Sequence, residues 1–502
     1  RYHLQLLVIN QLGFEENPSA IEVDFVGQKL LNSAKWQLPF LESAIGAKWF
    51  PILKDSGVLD RLLNPVFTFK ERLAKNKSVK AITKGLGYAN TFDSAAYEKR
   101  KENYLNLWYW IVRRSLVENR VLVIDYLDTL PSSEEKNYRV LRLLHSLKKW
   151  DYPLAFSVFE SCTTDPEKHW FDILNILETT LEYDYDWTVK QIERYLTLEA
   201  DRSEGGSSSM YDHQMGSCLK KMFEIDRGKA FNFAIEFIKK LIKKNVELIK
   251  IDTLDFYQDG AYDLYDFERD HSHNTKELML QQALDSVEIL AKEGSAVFEE
   301  FESANKEENS LTILKILLVG LESAPKNYCR RGLSLLLRLI QGKAYDKGLQ
   351  YWMGQLINAI YPYLQPAEKD KLNLSLLNLR SEYDFYIHAE GSKRSFFSHY
   401  GKTRFELLSM IPEHEIMNDP KLKGHFQELQ RKFGKAEKKK PRSVRLMRIG
   451  PPLEDSAYEK MGLEHWENSF LEFTTDERLN WGSDRGGLTQ NYREFEAKIP
   501  GN

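Results

Sequence analysis

Cysteine is scarce in this chain, and the few cysteines stand in no pattern that would give them a chemical role. The 502 residues contain three of them, Cys162, Cys218 and Cys329, and none belongs to a Cys-x-x-Cys pair. A disulfide framework and a zinc knuckle both need cysteines at close, fixed spacings, so the sequence argues against both. Few and unpaired cysteines are typical of a reducing compartment, and we expect a cytoplasmic protein.

Long apolar runs are also missing. The most hydrophobic stretches are interrupted by Lys315, Arg330, Arg331 or Arg338, whereas a membrane-spanning helix needs about 20 predominantly apolar residues. The chain does not open with a basic segment followed by an apolar one, which is the pattern of a secretory leader. We therefore expect neither secretion nor a membrane partner.

Positive charge is not in excess. The formal net charge is −4, with 42% hydrophobic and 29% charged residues, which is ordinary for a soluble protein rich in helices. Any attraction to nucleic acid must therefore come from a local patch. The chain starts at Arg1 rather than at Met, and patterned sequence continues almost to Asn502, so we expect the natural protein to be longer.

Helix-length amphipathic segments fill most of the chain, most clearly over residues 310–434. Four successive segments cover residues 311–325, 327–342, 349–366 and 368–379. Most of them carry one apolar stripe and end at Gly or Pro, as stacked helices do. Because the segments show no fixed repeat length, we predict an all-α, irregular solenoid of paired helices of the HEAT or TPR kind.

The same patterns predict the organisation of the chain. Residues 121–126 are rich in β-branched side chains and predict one short strand. We predict an N-terminal helical segment over residues 1–69, a loop or insertion over 70–97, a helical repeat array over 98–434, a basic linker over 435–453 and a terminal, incomplete helical pair over 454–502. Trp466 is expected to anchor the terminal pair.

Two segments imitate parts of a nucleotide-binding site. HYGKTRF, residues 399–405, contains a Gly-Lys-Thr, but Phe396 stands where a phosphate-binding loop needs glycine, and no strand is predicted before it. A loop at the start of a helix is the favoured interpretation. VLVIDYLD, residues 121–128, resembles a strand whose terminal acid holds magnesium, but it has no phosphate loop upstream. We favour a buried strand or helix with Asp125 and Asp128 at its solvated end.

An acidic, aromatic tract precedes two histidines. Residues 252–270 hold seven acids and one base among five aromatics, and His271 and His273 follow. Carboxylates and imidazoles are ligands for zinc and manganese. A metal-dependent hydrolase or nuclease that uses residues 252–273 is therefore one alternative function. Two histidines one residue apart fix no ligand geometry, so a surface loop leading into a helix is the favoured interpretation.

The most concentrated positive charge lies near the C-terminal end. Residues 431–448 contain nine bases and one acid, with Pro441 among them, which is typical of a connector. Six cations of this segment are candidate contacts to phosphate or to an acidic partner: Lys438, Lys439, Lys440, Arg442, Arg445 and Arg448. A nucleic-acid-binding module that uses this linker is a second alternative, although Phe433 is the only aromatic for base stacking.

Several phrases of the chain resemble a known family. They include AKWFPILKDSGVLDRLLNP (47–65), YGKTRFELLSMIPEHEI (400–416), GPPLEDSAYEKMGLEHWENSFLEFTTD (450–476) and RGGLTQNYREFEAKIP (485–500). These phrases are similar to the helical repeat regions behind the ATPase module of large bacterial STAND-like antiviral NTPases. The resemblance implies a sensor or scaffold region that recognises a foreign protein or nucleic acid and thereby releases an ATPase and an effector domain elsewhere in the protein.

The leading hypothesis is thus a non-catalytic helical scaffold that recognises a macromolecular ligand as the sensor part of a bacterial defence NTPase. A protein is the expected ligand, with nucleic acid at the basic linker as the second choice and oligomerisation expected of a full-length protein. We predict no catalytic residue, metal or cofactor for these residues. ATP and Mg²⁺ are expected only where an upstream NTPase module exists.

Overall fold

The computed structural model describes residues 2–15, 18–31, 37–43, 49–64, 94–163, 168–201, 209–249, 255–260, 262, 275–390 and 393–436, together with 465, 466 and 468. The chain divides into two compact units. One comprises Arg1–Leu264 and Arg269–Glu437, and the other comprises Tyr265–Glu268 and Lys438–Asn502. All helices and strands named below belong to the first unit.

Five short helices open the first unit. They are α1 (Tyr2–Gly13), α2 (Ala20–Phe25), α3 (Gln37–Ser43), α4 (Trp49–Asp55) and α5 (Val58–Leu63). Ser19 starts α2 through a capping box, because its side chain accepts the Glu22 amide while the Glu22 carboxylate accepts the Ser19 amide. α1 packs on α3, and α3, α4 and α5 all contact the first long helix of the array.

Seventeen further helices form the array in the described part of the chain. They are α6 (Ser94–Ser115), α7 (Arg120–Asp128), α8 (Glu134–His145), α9 (Leu154–Cys162), α10 (Trp170–Thr180), α11 (Tyr185–Asp201), α12 (Ser209–Ile225), α13 (Arg227–Ile249), α14 (Thr275–Lys292), α15 (Ala296–Asn305), α16 (Leu311–Ser323), α17 (Pro325–Gln341), α18 (Gln350–Ile360), α19 (Pro366–Leu377), α20 (Lys402–Leu408), α21 (Glu413–Asn418) and α22 (Pro420–Phe433).

The array is built in two layers. Each even-numbered helix from α6 to α20 contacts the next even-numbered helix, so these helices form one continuous row. From α7 to α17, each odd-numbered helix packs on the even-numbered helix before it. Pairs of helices stacked in this way confirm the predicted all-α solenoid.

α16 lies at the centre of this packing. Its side chains from Leu311 to Leu318 are all buried, including Thr312 and Lys315. A helix that is buried on every side belongs to the interior of a larger assembly rather than to its surface. The contacts of α16 with α14, α15, α17 and α18 provide that enclosure.

The strand predicted over residues 121–126 is wrong, because these residues lie within α7. Val123, Ile124, Tyr126 and Leu127 are buried, and their spacing places them on one helical face, which packs on α9. The preference of β-branched residues for strands is weak, and tertiary packing overrides it here.

A two-stranded antiparallel hairpin interrupts the helices where none was predicted. It consists of β1 (Phe385–Glu390) and β2 (Lys393–Ser398), with Phe385 paired to Ser398 and Glu390 paired to Lys393. α6 begins at Ser94, inside the loop predicted over residues 70–97, so the end of that prediction is also wrong. Residues 65–93 and nearly all of the predicted linker and terminal pair lie outside the described residues.

No helix in the described part of the chain is long and apolar enough to cross a membrane.

Candidate functional site

The cationic residues predicted as phosphate or partner contacts lie outside the residues that the structure describes. These are Lys438, Lys439, Lys440, Arg442, Arg445 and Arg448, which follow the last described residue after α22, Ala436. A role for the basic linker in binding therefore stays a prediction.

The Gly-Lys-Thr segment starts α20, directly after the hairpin. The statement that no strand precedes it is thus wrong, since β2 ends at Ser398. Gly401 adopts a left-handed φ of +84°, and its amide donates to the Asp384 carboxylate at 3.0 Å. The Asp384 side chain is buried. The Asp384 carboxylate thus already accepts the Gly401 amide, which a bound phosphate would need as a donor. It would also repel a phosphate, because both groups are negatively charged. These contacts favour a helix start, as the missing glycine at Phe396 implied.

The two acids of the magnesium-like segment lie in and at the end of α7. The Asp125 carboxylate accepts the Tyr152 hydroxyl at 2.6 Å, and Asp128 is exposed at the last position of the helix.

Cys162 is not an activated nucleophile. Burial raises the pKa of its thiol to about 11, so that it is protonated at neutral pH. Burial also raises the pKa of the Cys218 thiol.

Part of the acidic, aromatic tract is anchored in the array. Phe256 is buried, with the Arg338 guanidinium 5.0 Å from its ring centre, and the Phe256 carbonyl accepts the Lys347 ammonium at 2.7 Å. Tyr257 pairs with Ser310, the residue that precedes α16. Residues 256–257 therefore hold the segment against α16 and α17, and do not behave as the predicted surface loop.

Asp259 has a structural position in this anchor. Its carboxylate is fully buried and accepts the Ser310 hydroxyl at 3.0 Å and the Tyr262 amide at 3.3 Å. A carboxylate beside the first turn of α16 is also favoured by the helix dipole. His271 and His273 lie outside the described residues. Among the described residues, no three His, Cys, Asp or Glu side chains form a group that could hold a metal ion.

A depression of the surface between α17 and α19 combines apolar lining residues with a majority of cations. Its volume is about 970 Å³. Leu333, Leu337 and Ile340 line it from α17, and Leu374 and Leu379 line it from α19 and the residue stretch that follows; we call these apolar lining residues its floor. Leu374 is 62% exposed, so a large apolar side chain of the floor is open to solvent. We call this depression the α17–α19 groove.

Local sequence fixes the two walls of the groove. Pro325 and Pro366 occupy the first positions of α17 and α19, where a proline costs no hydrogen bond and favours the helical φ. Gln365 and Glu368 form a capping box at the start of α19. An ion pair of 3.3 Å between Arg330 of α17 and Glu368 of α19 joins the walls.

The charge around the groove is mainly positive. Five cations line it: Arg330, Arg338, Lys343, Lys371 and Arg380. Glu368 is the one acid among the lining residues. Because the whole chain carries a net charge of −4, the formal charge of this surface differs in sign from the average of the protein.

Three of these cations have partners, and two are available. Arg330 pairs with Glu368, Lys343 pairs with Glu382 at 3.1 Å, and Arg338 donates to the Asn309 side chain at 3.2 Å. The side chains of Lys371 and Arg380 are exposed and form no ion pair within the described part of the chain. They line the groove together with Leu374 and Leu379.

The sequence did not indicate this groove as a site. Both walls were predicted as amphipathic helices. α17 alone carries Lys326, Arg330, Arg331 and Arg338 and no acid, so its positive charge was visible in the sequence. Its position beside Lys371, Leu374 and Arg380, which come from a later segment, was not.

No protein-family model, curated protein or solved structure matches the chain. The resemblance to sensor regions of STAND-like NTPases accordingly keeps its basis in the sequence phrases alone.

Proposed function

We propose that this chain is a helical repeat scaffold that recognises a protein ligand, and that the α17–α19 groove holds an acidic, amphipathic helix of that ligand. The observation that carries the proposal is the exposed side chain of Leu374, which lines the groove together with Lys371 and Arg380, two cations without an ion pair among the described residues. Exposed apolar surface rimmed by charge is typical of interaction sites.

The shape of the groove suits a helix. The two walls run in the same direction, since Arg330 near the start of α17 pairs with Glu368 at the start of α19, and Tyr345 after α17 donates to the carbonyl of Arg380 after α19. Leucines on these walls offer places for apolar side chains at positions i, i+3 or i+4, and i+7 of a bound helix. Glutamates or aspartates on the flanks of that helix would meet Lys371 and Arg380. Complementary charge of this kind speeds association and selects the register of the partner.

The sequence phrases that resemble STAND-like sensor regions support a more specific version of the proposal. In this version the chain is the recognition part of a bacterial antiviral defence NTPase, and ATP and Mg²⁺ are bound by a different module. The array of stacked helices is suited to such a task, because it supplies a long surface with several grooves.

A labelled helical peptide tests the groove directly. The peptide has leucine at every third or fourth position and glutamate on the flanks, and a scrambled peptide of the same composition is the comparison. We expect fluorescence anisotropy to show binding of the amphipathic peptide. The double variant Lys371→Glu/Arg380→Glu should bind it about tenfold more weakly, because like charges then face each other.

The matched control is Lys243→Glu/Lys423→Glu, which reverses two exposed lysines elsewhere in the array. This control changes the net charge by the same amount and should bind the peptide as the unmodified chain does. Equal binding of the scrambled peptide, or equal losses in the two double variants, would show that the groove is not the binding site.

A further inference from the structure

Six side chains of the array form a row in which aromatic and cationic groups alternate. The order along the row is Trp110, Arg113, Tyr109, Arg142, Tyr138 and His169. The Arg113 guanidinium carbon lies 5.4 Å from the Trp110 ring centre and 6.0 Å from that of Tyr109. The Arg142 carbon lies 5.7 Å from the Tyr109 ring centre and 5.8 Å from that of Tyr138. The Tyr138 and His169 rings are 4.9 Å apart. We call this row the Arg–aromatic ladder.

Three neighbouring helices build the ladder. α6 supplies Tyr109, Trp110 and Arg113, and α8 supplies Tyr138 and Arg142 at i and i+4, which share one face of a helix. His169 stands immediately before α10 with a left-handed φ of 61°. Because α6, α8 and α10 are consecutive members of the even-numbered row, the ladder crosses the row rather than following one helix.

Trp110, Tyr138 and the two arginines of the ladder are open to solvent, whereas Tyr109 between the arginines is buried. Trp110 is 48% exposed and Tyr138 is 37% exposed, although large aromatic side chains gain most from burial. Arg113 and Arg142 are also exposed. The ladder therefore presents π faces and guanidinium groups together on the surface.

One acid from each of the three helices has a partner outside the ladder. Glu102 accepts from Arg139 at 2.8 Å, Glu134 pairs with Lys168 at 3.0 Å, and Asp172 contacts His145 at 3.3 Å. Arg113 and Arg142 form no ion pair within the described residues. Among the described side chains, no paired acid therefore neutralises the two ladder arginines.

We propose that the Arg–aromatic ladder is a binding site for single-stranded nucleic acid. A guanidinium that lies over a ring uses its face for the contact and leaves the N–H groups at its edge free to donate to phosphate oxygens. The exposed rings of Trp110 and Tyr138 offer surfaces on which unpaired bases stack. A duplex keeps its bases stacked inside, and an acidic peptide has no bases, so single strands make the fullest use of both kinds of group.

This proposal is independent of the α17–α19 groove. It also does not depend on the basic linker, because all six ladder residues belong to α6, α8 and the start of α10. The two sites share no residue, and variants of one leave the other intact.

Binding of a labelled oligothymidylate of about 12 nucleotides tests the ladder, since sites for single strands cover roughly 4 to 16 nucleotides. We expect binding in low salt that exceeds binding of the matching duplex. Arg113→Ala/Arg142→Ala should weaken it at least tenfold and reduce the slope of log K against log salt by about 1.4, which corresponds to two lost phosphate contacts.

Trp110→Ala should lower the affinity while leaving the salt slope unchanged, because stacking involves no release of counterions. Lys243→Ala/Lys423→Ala, which removes two exposed lysines from other helices, is the control and should bind as the unmodified chain does. Circular dichroism melts confirm that all variants are folded.

Three results would overturn the proposal. One is the absence of oligothymidylate binding in low salt. Another is a loss in Arg113→Ala/Arg142→Ala no larger than that of the lysine control. The third is displacement of the oligonucleotide by polyglutamate as efficiently as by unlabelled oligothymidylate, which would assign the ladder to an acidic protein.

Discussion

Ser310 donates its hydroxyl proton to the Asp259 carboxylate at 3.0 Å, and both side chains are buried although 51 positions separate them in the sequence. The bond joins the acidic tract to the residue that precedes α16, the most enclosed helix of the array. It explains why Asp259 is fully buried although Asp255, four positions earlier, is exposed.

Asp259→Ala should therefore destabilise the first unit by about 3 kcal/mol, because it leaves the Ser310 hydroxyl and the Tyr262 amide without their acceptor in a buried place. Urea unfolding followed by circular dichroism measures the loss. Asp255→Ala is the matched control, since Asp255 belongs to the same segment and is exposed. Similar losses in the two variants would mean that the buried carboxylate has no special role.

Gly320 allows α16 to approach its neighbours closely. A Cβ atom at this position would lie 2.9 Å from Val287 Cγ2 of α14 and closer still to the Phe298 ring of α15. Gly320→Ala should thus cost about 1 to 3 kcal/mol through overpacking, even though alanine favours a helix by about 1 kcal/mol relative to glycine.

Gly424→Ala is expected to stabilise the protein, whereas Gly320→Ala destabilises it. Gly424 lies inside α22, and a Cβ atom there would meet no atom within 4 Å. This variant should gain roughly 0.5 to 1 kcal/mol from helix propensity alone. The thermal midpoints of the two variants should move in opposite directions, and a shift of the same sign in both would contradict the close packing of α16.

Periodicity was sufficient to predict the helices of the array. The segments predicted over residues 311–325 and 327–342 correspond to α16 (Leu311–Ser323) and α17 (Pro325–Gln341). The repeat array predicted from residue 98 onwards likewise opens on a helix, α6, whose Trp108, Ile111 and Val112 are buried. These successes arise because an apolar stripe, a proline at the start and a glycine at the end all act within one segment.

Local preference was a poorer guide for strands. Residues 121–126 contain β-branched side chains but form part of α7, where burial between helices decides the structure. The hairpin at Phe385–Ser398 was missed, although Gly391 and Ser392 separate two runs rich in aromatic residues. Its strands have six residues each, and so short an apolar run fits either a strand or a helix.

The candidate sites were the least predictable features, because each combines segments that are distant in the sequence. Leu374 and Arg380 become part of a groove only beside α17. Trp110 was part of a predicted helix, but its position next to Arg113 and in line with Arg142 depends on how α6 and α8 pack. Sequence alone identifies the helices, whereas the contacts between helices create the surfaces.

Glu322, on α16, has a pKa raised from its ordinary 4.5 to about 7, first by burial and then by the nearby carboxylate of Glu288, while Lys292 opposes the shift. Tyr351 is the further titratable group beside it. The folded state therefore holds the Glu322 proton more tightly than the unfolded state does. The stability that this group contributes is complete below about pH 4.5 and is lost as the pH rises to about 7.

Glu322→Gln replaces the carboxyl group by an amide that stays neutral, so the variant should lack this part of the pH dependence. We expect its unfolding free energy, relative to the unmodified chain, to rise by about 2 kcal/mol between pH 5 and pH 8. Urea unfolding at several pH values measures the difference. Glu300→Gln, at an exposed position of α15, removes the same charge and should show no such rise. If the two variants follow the same pH profile, the Glu322 carboxyl group does not titrate near neutrality, and burial beside Glu288 does not control its protonation.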